Sequence, residues 1–369
     1  MARSAGVGFA GAEAETVRYL VLAEGFSADP HYGKTARGVL RYRRDDVAAV
    51  LDSTREPGDT EYGVPVVRTV DEALPLGPTT ALVGVATQGG RFPPAWLELL
   101  ERCIAAGLDI ENGLHVFLAD DPRLAELAAR HGVELRDLRR PPADLSTASG
   151  ANLGVPATIV LTVGSDCAIG KMTVSLELDR EARARGVRSV FVPTGQTGIA
   201  IAGWGIAVDA VVSDFLAGAA ERLVVEGAER GGELLWVEGQ GAVLHPVYSG
   251  VTLGLYHGSA PHLLVLCHEV GATEIEGAGG GPHPIPPLAE LVELHERLAL
   301  PKRKAKVAAV ALNTRRVDDA AARAAITAAE AETGLPADDP VRFGAGRLVD
   351  AVLARAGASL DLGNHTSPS

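Results

Sequence analysis

The stretch VGSDCAIGKMTVSLEL, residues 163–178, carries the residue types of a phosphate-binding loop that opens a helix. Gly164 and Gly170 would let the backbone curl closely around anionic oxygens, and Lys171 would set an ammonium beside them. The usual pattern has four residues between its glycines and a Ser or Thr directly after the lysine. Here Ser165, Asp166, Cys167, Ala168 and Ile169 lie between the glycines, and Met172 follows the lysine. A thioether cannot replace the hydroxyl that holds magnesium in nucleotide hydrolases. Thr173 comes next, but its side chain on a helix points about 100° away from that of Met172. The sequence therefore predicts phosphate binding without the usual metal ligand. Gly164, Ser165, Asp166, Cys167, Ala168, Gly170, Lys171, Met172 and Thr173 form the expected donor-binding segment. Cys167 at the start of a helix is open to two readings, an acyl-carrying thiolate or a small buried residue.

Other candidates follow apolar runs, where ligands gather in open parallel sheets. Glu238 in VEGQG stands where a base or a magnesium-binding carboxylate would lie, with Gln240 beside it as a hydrogen-bond donor. PTGQTG supplies Thr194, Gln196 and Thr197, and ALNT supplies Asn313 and Thr314, suited to an adenine edge or to a turn. HPVYSG brings His245, Tyr248 and Ser249 close behind Glu238, and His257, His262 and His268 are weaker candidates. Asp209 and Asp214 are spaced as if to straddle a helical turn, where they would either orient a substrate amine or solvate the helix.

The elements that must position these groups alternate along the chain as short apolar runs and longer helical patterns, the signature of parallel sheets with crossover helices. RYLVLA, DVAAVLD, VPVV and TALVGVA read as strands of a first sheet, and TIVLTV, VRSVFVP, ELLWVE, HLLVLC and KVAAVALN as strands of a second. PPAWLELLERCIAAG and DDPRLAELAARHG are helices punctuated by Pro, Asp and Gly. RRPPADLSTASGANLGVPA has no apolar period and reads as a linker, dividing the chain into a first wound α/β domain over 1–148 and a phosphate-loop domain over 149–369. EGAGGGPHPIPPL is expected to be a surface loop or a lid.

Composition narrows the function classes. The chain has 369 residues, 47% of them hydrophobic, enough for two cores. A net charge of −13 with no basic block argues against nucleic acid. Three cysteines without paired spacing argue against a zinc or disulfide framework. No apolar run reaches the ~20 residues of a membrane span. A cytoplasmic enzyme of small molecules, forming a homo-oligomer, is expected.

The blocks GSDCAIGKMT, PTGQTGIAIAGWGIAVDAVVSDFLAGAAE, VEGQGAVLHPVYSGVTLGLYHGSAPHLLVLCHE and LNT resemble a bacterial family long filed as a domain of unknown function. Its characterised branch is the D-glutamate N-acetyltransferases of the DgcN type. KTARGVLRY, VGVATQGGRFPPAW and GLDIENGLHVFLADDPRL extend the resemblance over most of the chain. It implies a Rossmann-like N-terminal domain and a phosphate-loop domain similar to dethiobiotin synthetase, whose EGAGG parallels EGQG here. The chain reads CHEVGA where the family leads one to expect Pro and Arg after CHE, a departure that bears on specificity if that arginine clamps a carboxylate.

Two chemistries remain open. In acyl transfer, the loop holds the diphosphate of acetyl-CoA intact, with Gln196 and Asn313 as further contacts. His245 or Glu238 deprotonates the amine, and Gln240 or loop N–H groups stabilise the oxyanion. Lys34 and Arg41 then supply cations for an acidic acceptor, with Thr197, Asp214, Tyr248 and Ser249 also in its site, and no metal is required. In the alternative, ATP and magnesium activate a small acid or amine, with Thr173 and Glu238 as metal ligands.

Overall fold

Runs of Val, Leu, Ile and Ala without polar interruption cannot keep one face in water, and in this chain they become strands covered on both faces. The computed structural model describes residues 17–29, 33–85, 96–277, 279 and 281–363. They form two units, the first ending at Asp137 and the second starting at Leu138.

The first unit has strands β1 (Tyr19–Leu22), β2 (Val47–Leu51), β3 (Thr60–Glu61), β4 (Val64–Val67), β5 (Thr80–Val83), β6 (Asp109–Asn112) and β7 (Leu135–Asp137). Their order is β3-β4-β2-β1-β5-β6-β7, parallel except for the β3–β4 hairpin. Helices α1 (Lys34–Tyr42), α2 (Val70–Ala73), α3 (Trp96–Ala105) and α4 (Pro122–His131) accompany it. Asp121 caps α4 by accepting from the N–H groups of Arg123 and Leu124, and Gly132 closes it in the left-handed region, as the Asp-Pro and Gly signals predict. The prolines expected to open α3 lie outside the described residues. Strands β6 and β7 were not expected, because DIEN and LRD are too polar to read as buried. Their polar groups are paired instead: Tyr19 Oη donates to Glu111 at 2.9 Å, and Asn112 Nδ2 donates to Asp137 at 2.8 Å.

The second unit has β8 (Thr158–Gly164), β9 (Ser189–Val192), β10 (Leu234–Val237), β11 (Leu263–Glu269), β12 (Lys306–Asn313) and β13 (Ala337–Asp338). All pairings are parallel, in the order β13-β12-β11-β8-β10-β9. Its helices are α5 (Lys171–Ala184), α6 (Gln196–Ala202), α7 (Ser213–Glu229), α8 (Ser249–Ser259), α9 (Leu288–Arg297), α10 (Asp319–Thr333) and α11 (Gly346–Gly363). Two apolar clusters, one on each sheet face, bury the whole of β8. The fold class is that expected, two wound α/β units. Among the described residues no helix is long and apolar enough to cross a membrane.

The segment read as a linker is packed, and the unit boundary falls after Asp137 instead of after Ala148. Arg139 reaches Gln196 at 2.6 Å, Arg222 reaches Asp144 at 2.8 Å, and Ser149 N and Gly150 N each donate to Glu221 at 2.7 Å. A Cβ on Gly218 would stand 1.8 Å from Ser146 O. Polar composition marked the segment as irregular, but its hydrogen bonds tie it to the second unit.

Candidate active site

The central strand β8 runs through residues 165–170 into α5, so the first N–H groups of that helix face the carboxyl edge of the sheet. Gly170 sits at the cap with φ of 109° and gives them no side-chain acceptor. A Cβ on Gly164 would stand 2.8 Å from the tip of the Ile169 side chain, 3.2 Å from Asp166 O and 3.3 Å from the Lys171 side chain, so glycine lets the loop close without crowding these groups. Ala168, between the two glycines, also has a positive φ, 53°, at the exposed tip. Lys171 is buried, and its Nζ donates to Asp166 O at 2.6 Å, folding the side chain over its own loop. Burial lowers its pKa from the ordinary lysine value, while the neighbouring thiols and the carboxylates of Asp166 and Glu238 act the other way. The loop is braced by Ser165 N on Cys267 O at 3.0 Å, Ser165 Oγ against His268 Nδ1 at 2.9 Å, and Asn313 Nδ2 on Ile169 O at 3.0 Å. Asn313 is thus a brace for the loop. Met172 and Thr173 are half-buried in the first turn of α5.

Glu238, just past β10, is buried and accepts from Thr194 N at 2.9 Å and Gly195 N at 3.1 Å. Thr194 Oγ1 returns a bond to Glu238 O at 2.8 Å, and Gln240 Nε2 donates to Thr194 O at 2.5 Å and to Thr194 Oγ1 at 3.2 Å. The predicted metal or base carboxylate is therefore also a clamp on the TGQTG loop, and Gln240, expected to serve an oxyanion, has its amide turned onto that loop. Gly239 N donates to Thr162 Oγ1 at 2.9 Å, and Thr162 Oγ1 lies 3.0 Å from Ser175 Oγ. These two buried hydroxyls tie β8, α5 and the EGQG turn together, a role hidden inside a strand and a helix face.

His245 is buried, its Nδ1 accepting from Val247 N at 3.1 Å and its Nε2 lying 3.2 Å from Glu276 O. The first bond fixes the proton on Nε2, so the lone pair that a base would use is already engaged. Asp166 Oδ1 accepts from Cys167 N at 2.6 Å and Oδ2 from Glu276 N at 2.7 Å. Asp166, Cys167 and His245 each bring one potential ligand atom within 4.8 Å of the others. Cys, His and carboxylate suit a transition metal, although a bond through either nitrogen of His245 would displace a protein partner. Burial pushes the Cys167 thiol up to about 11, with Lys171 lowering and Asp166 raising it, so the thiol and not the thiolate prevails near neutral pH.

The remaining candidates divide. Gln196 and Thr197 are buried at the start of α6, where Gln196 Oε1 accepts from Arg139, which also pairs with Asp209. Asp209 lies in a 3-10 turn and Asp214 in the first turn of α7, so the two do not share a helical turn. Tyr248 is exposed at the position before α8, without a side-chain bond to the helix N-terminus, and Ser249 begins the helix. His257 holds Leu298 O at 3.0 Å and His262 accepts from Ile159 N at 3.0 Å, and neither contact reaches the phosphate loop. Lys34 and Arg41 are exposed on α1 of the first unit. Thr314 is spent on Asp339, at 3.0 Å from its N–H and 2.6 Å from its hydroxyl. Reasoning from sequence missed Arg139, Glu269, Arg315, Arg316 and the backbone of Glu276; arginines just after a strand-end Asn were the one local signal.

Comparison with known proteins agrees with this arrangement. Residues 52–141 match the model of a Rossmann-like domain of unknown function, DUF1611_N, and residues 146–349 match its partner, the DUF1611_C P-loop domain. A D-glutamate N-acetyltransferase of Tritonibacter scottomollicae is 40% identical over 78% of this chain and 84% of its own. One from Pseudoalteromonas sp is 34% identical over 75% and 82%. The crystal structure of a DUF1611 family protein from Anabaena variabilis superposes with a TM-score of 0.83 at 42% identity, covering 92% of this chain and 99% of that one. With a braced phosphate loop in its second unit and these matches along both, the chain belongs to the DUF1611 family.

Proposed function

We propose that this chain is an N-acetyltransferase that moves an acetyl group from acetyl-CoA to the amine of a small acidic amino acid, D-glutamate foremost. The observation that carries the reading is a phosphate loop built for binding, with Met172 where a metal-holding hydroxyl would stand and Glu238 turned to the amides of Thr194 and Gly195. The activity for which both curated relatives are named supports the acceptor.

In this reading the loop amides and Lys171 hold the donor diphosphate through charge-assisted bonds. The acceptor nitrogen attacks the thioester carbonyl, the C–N bond forms and the C–S bond breaks. The amine proton leaves to a base, and the coenzyme departs as thiolate and is then protonated. Glu238 is the better base, because its carboxylate lies close enough to the loop to act on the charge of Lys171, whereas His245 is engaged at both nitrogens. With acetyl-CoA as donor the enzyme works in the cytoplasm, and a symmetric homo-oligomer is proposed only because soluble enzymes commonly form one.

The test incubates the protein with acetyl-CoA and D- or L-glutamate while following thiol release, then with ATP and magnesium while following ADP. Thiol release that needs the amino acid and ignores a chelator is expected. ADP formed without thiol would replace this reading with the ATP-dependent one, for which Thr173 and Glu238 would have to take a metal.

A further inference from the structure

The carboxyl edge of the second sheet has two sides around β8. On the β10–β9 side lie Glu238, Gln240 and Thr194, the groups with acid, base or donor chemistry. On the β11–β12 side the chain places a different set. Glu269 ends β11 with its side chain 6% exposed, and two arginines from the turn after β12 lie against it. Arg315 Nη2 is 2.9 Å from Glu269 Oε2, and Arg316 Nε is 2.7 Å from Oε1. The second contact is an ion pair without hydrogen-bond alignment, since Oε1 finds no aligned donor. The guanidinium side chains remain 57% and 62% exposed, so their outer N–H groups face solvent. One buried carboxylate against two arginines leaves a net positive charge in a chain of −13.

The pair adjoins the phosphate loop. Asn313 Nδ2 donates to Ile169 O at 3.0 Å and lies 3.4 Å from Glu269 Oε2, while Asn313 Oδ1 accepts from Arg315 N at 3.3 Å. A donor whose diphosphate rests on the loop and whose acyl end points toward Glu238 has its nucleoside end on this opposite side. Coenzyme A differs from ATP there by a phosphomonoester on the ribose, a dianion that planar guanidinium groups bind in forked pairs. We infer that Arg315 and Arg316, oriented by Glu269, form the site for the ribose 3′-phosphate of the donor coenzyme. This rests on the acetyl-transfer reading and extends it, because it gives the chain a means of choosing coenzyme A over ATP.

The experiment compares equilibrium binding of CoA and 3′-dephospho-CoA by calorimetry, in the wild type and in Arg315→Gln/Arg316→Gln. Circular dichroism verifies folding, and the single variants stand in if the double variant is unstable. Expected is a wild-type preference for CoA on the order of tenfold or more, as charge-assisted bonds at a partly exposed site allow. In the double variant the ratio should fall to near one, because the affinity for CoA drops further than that for the dephospho form. A wild-type ratio near one, or a ratio that survives in the variants, overturns the inference. So does a rise in the glutamate KM with the coenzyme ratio intact, which would make the arginines acceptor ligands. A ratio that collapses in a protein releasing no thiol with any amino acid would leave this site standing and remove the acetyl-transfer reading instead.

Discussion

At the scale of single residues, Lys171 is the group whose loss should be read most directly. Its ammonium is buried against the loop carbonyl of Asp166, close enough to the carboxylates of Asp166 and Glu238 for their charges to act on it. Lys171→Ala should raise the KM for acetyl-CoA about tenfold or more with a smaller change in kcat, since the charge acts on bound phosphate in ground and transition states alike. Steady-state kinetics check this, and an unchanged KM would remove the loop from donor recognition. Cys167→Ser should keep most of its turnover, because burial holds the thiol protonated near neutral pH. Intact-mass measurement after mixing with acetyl-CoA alone should find no added acetyl group, and a stable adduct would make Cys167 the nucleophile. Lys171 and the loop glycines were legible in the sequence because everything that defines them lies within ten or so consecutive residues. The engagement of His245 was not legible, since one of its partners is a carbonyl at position 276 in another crossover.

At the scale of elements, two glycines separate what the fold needs from what the site needs. A Cβ on Gly239 would meet Thr162 O at 1.7 Å, a clash with the backbone of the central strand. Gly239→Ala should therefore cost upwards of about 3 kcal/mol, seen as a lower urea midpoint. A Cβ on Gly198 would meet Glu238 Oε2 at 2.4 Å, the movable end of a side chain. Gly198→Ala should cost less, about 1–2 kcal/mol, because the displaced carboxylate strains its bonds to the amides of Thr194 and Gly195 while alanine gains helix propensity. It should lower kcat at least about tenfold by displacing the carboxylate, and a variant with normal turnover would show that Glu238 need not hold its place. Most strands were readable because fully buried parallel strands are uninterrupted apolar runs. Strands β6 and β7 escaped because their burial depends on partners such as Tyr19 and Asp137, which no local window shows. The segment from Arg139 to Gly150 escaped for the same reason, its order coming from Gln196, Glu221 and Arg222.

At the scale of the whole molecule, pH should test how far burial governs the charges. Burial lowers the pKa of His262 from 6.5 to about 4, with the Arg303 charge adding to the effect, and its Nδ1 accepts from Ile159 N at 3.0 Å. Below pH 6.5 the unfolded chain takes up a proton that the folded chain refuses, so this group withdraws stability as pH falls from about 6.5 to about 4 and contributes no further slope below that. Replacing His262 with Gln keeps an acceptor for the Ile159 amide. Its urea midpoint should fall less than that of the wild type across this window, and parallel curves would show that His262 titrates normally. Composition alone pointed to two cores, while the exact seam between the units depended on side chains that composition does not rank.

Glu276 offers the site only its main chain, its N–H to Asp166 and its carbonyl to His245, while its own side chain points to solvent. The identity of that residue is therefore invisible to the cradle it steadies. A survey of replacements there would look indifferent at every type until it reached proline, which deletes the backbone hydrogen that position 276 gives to the aspartate.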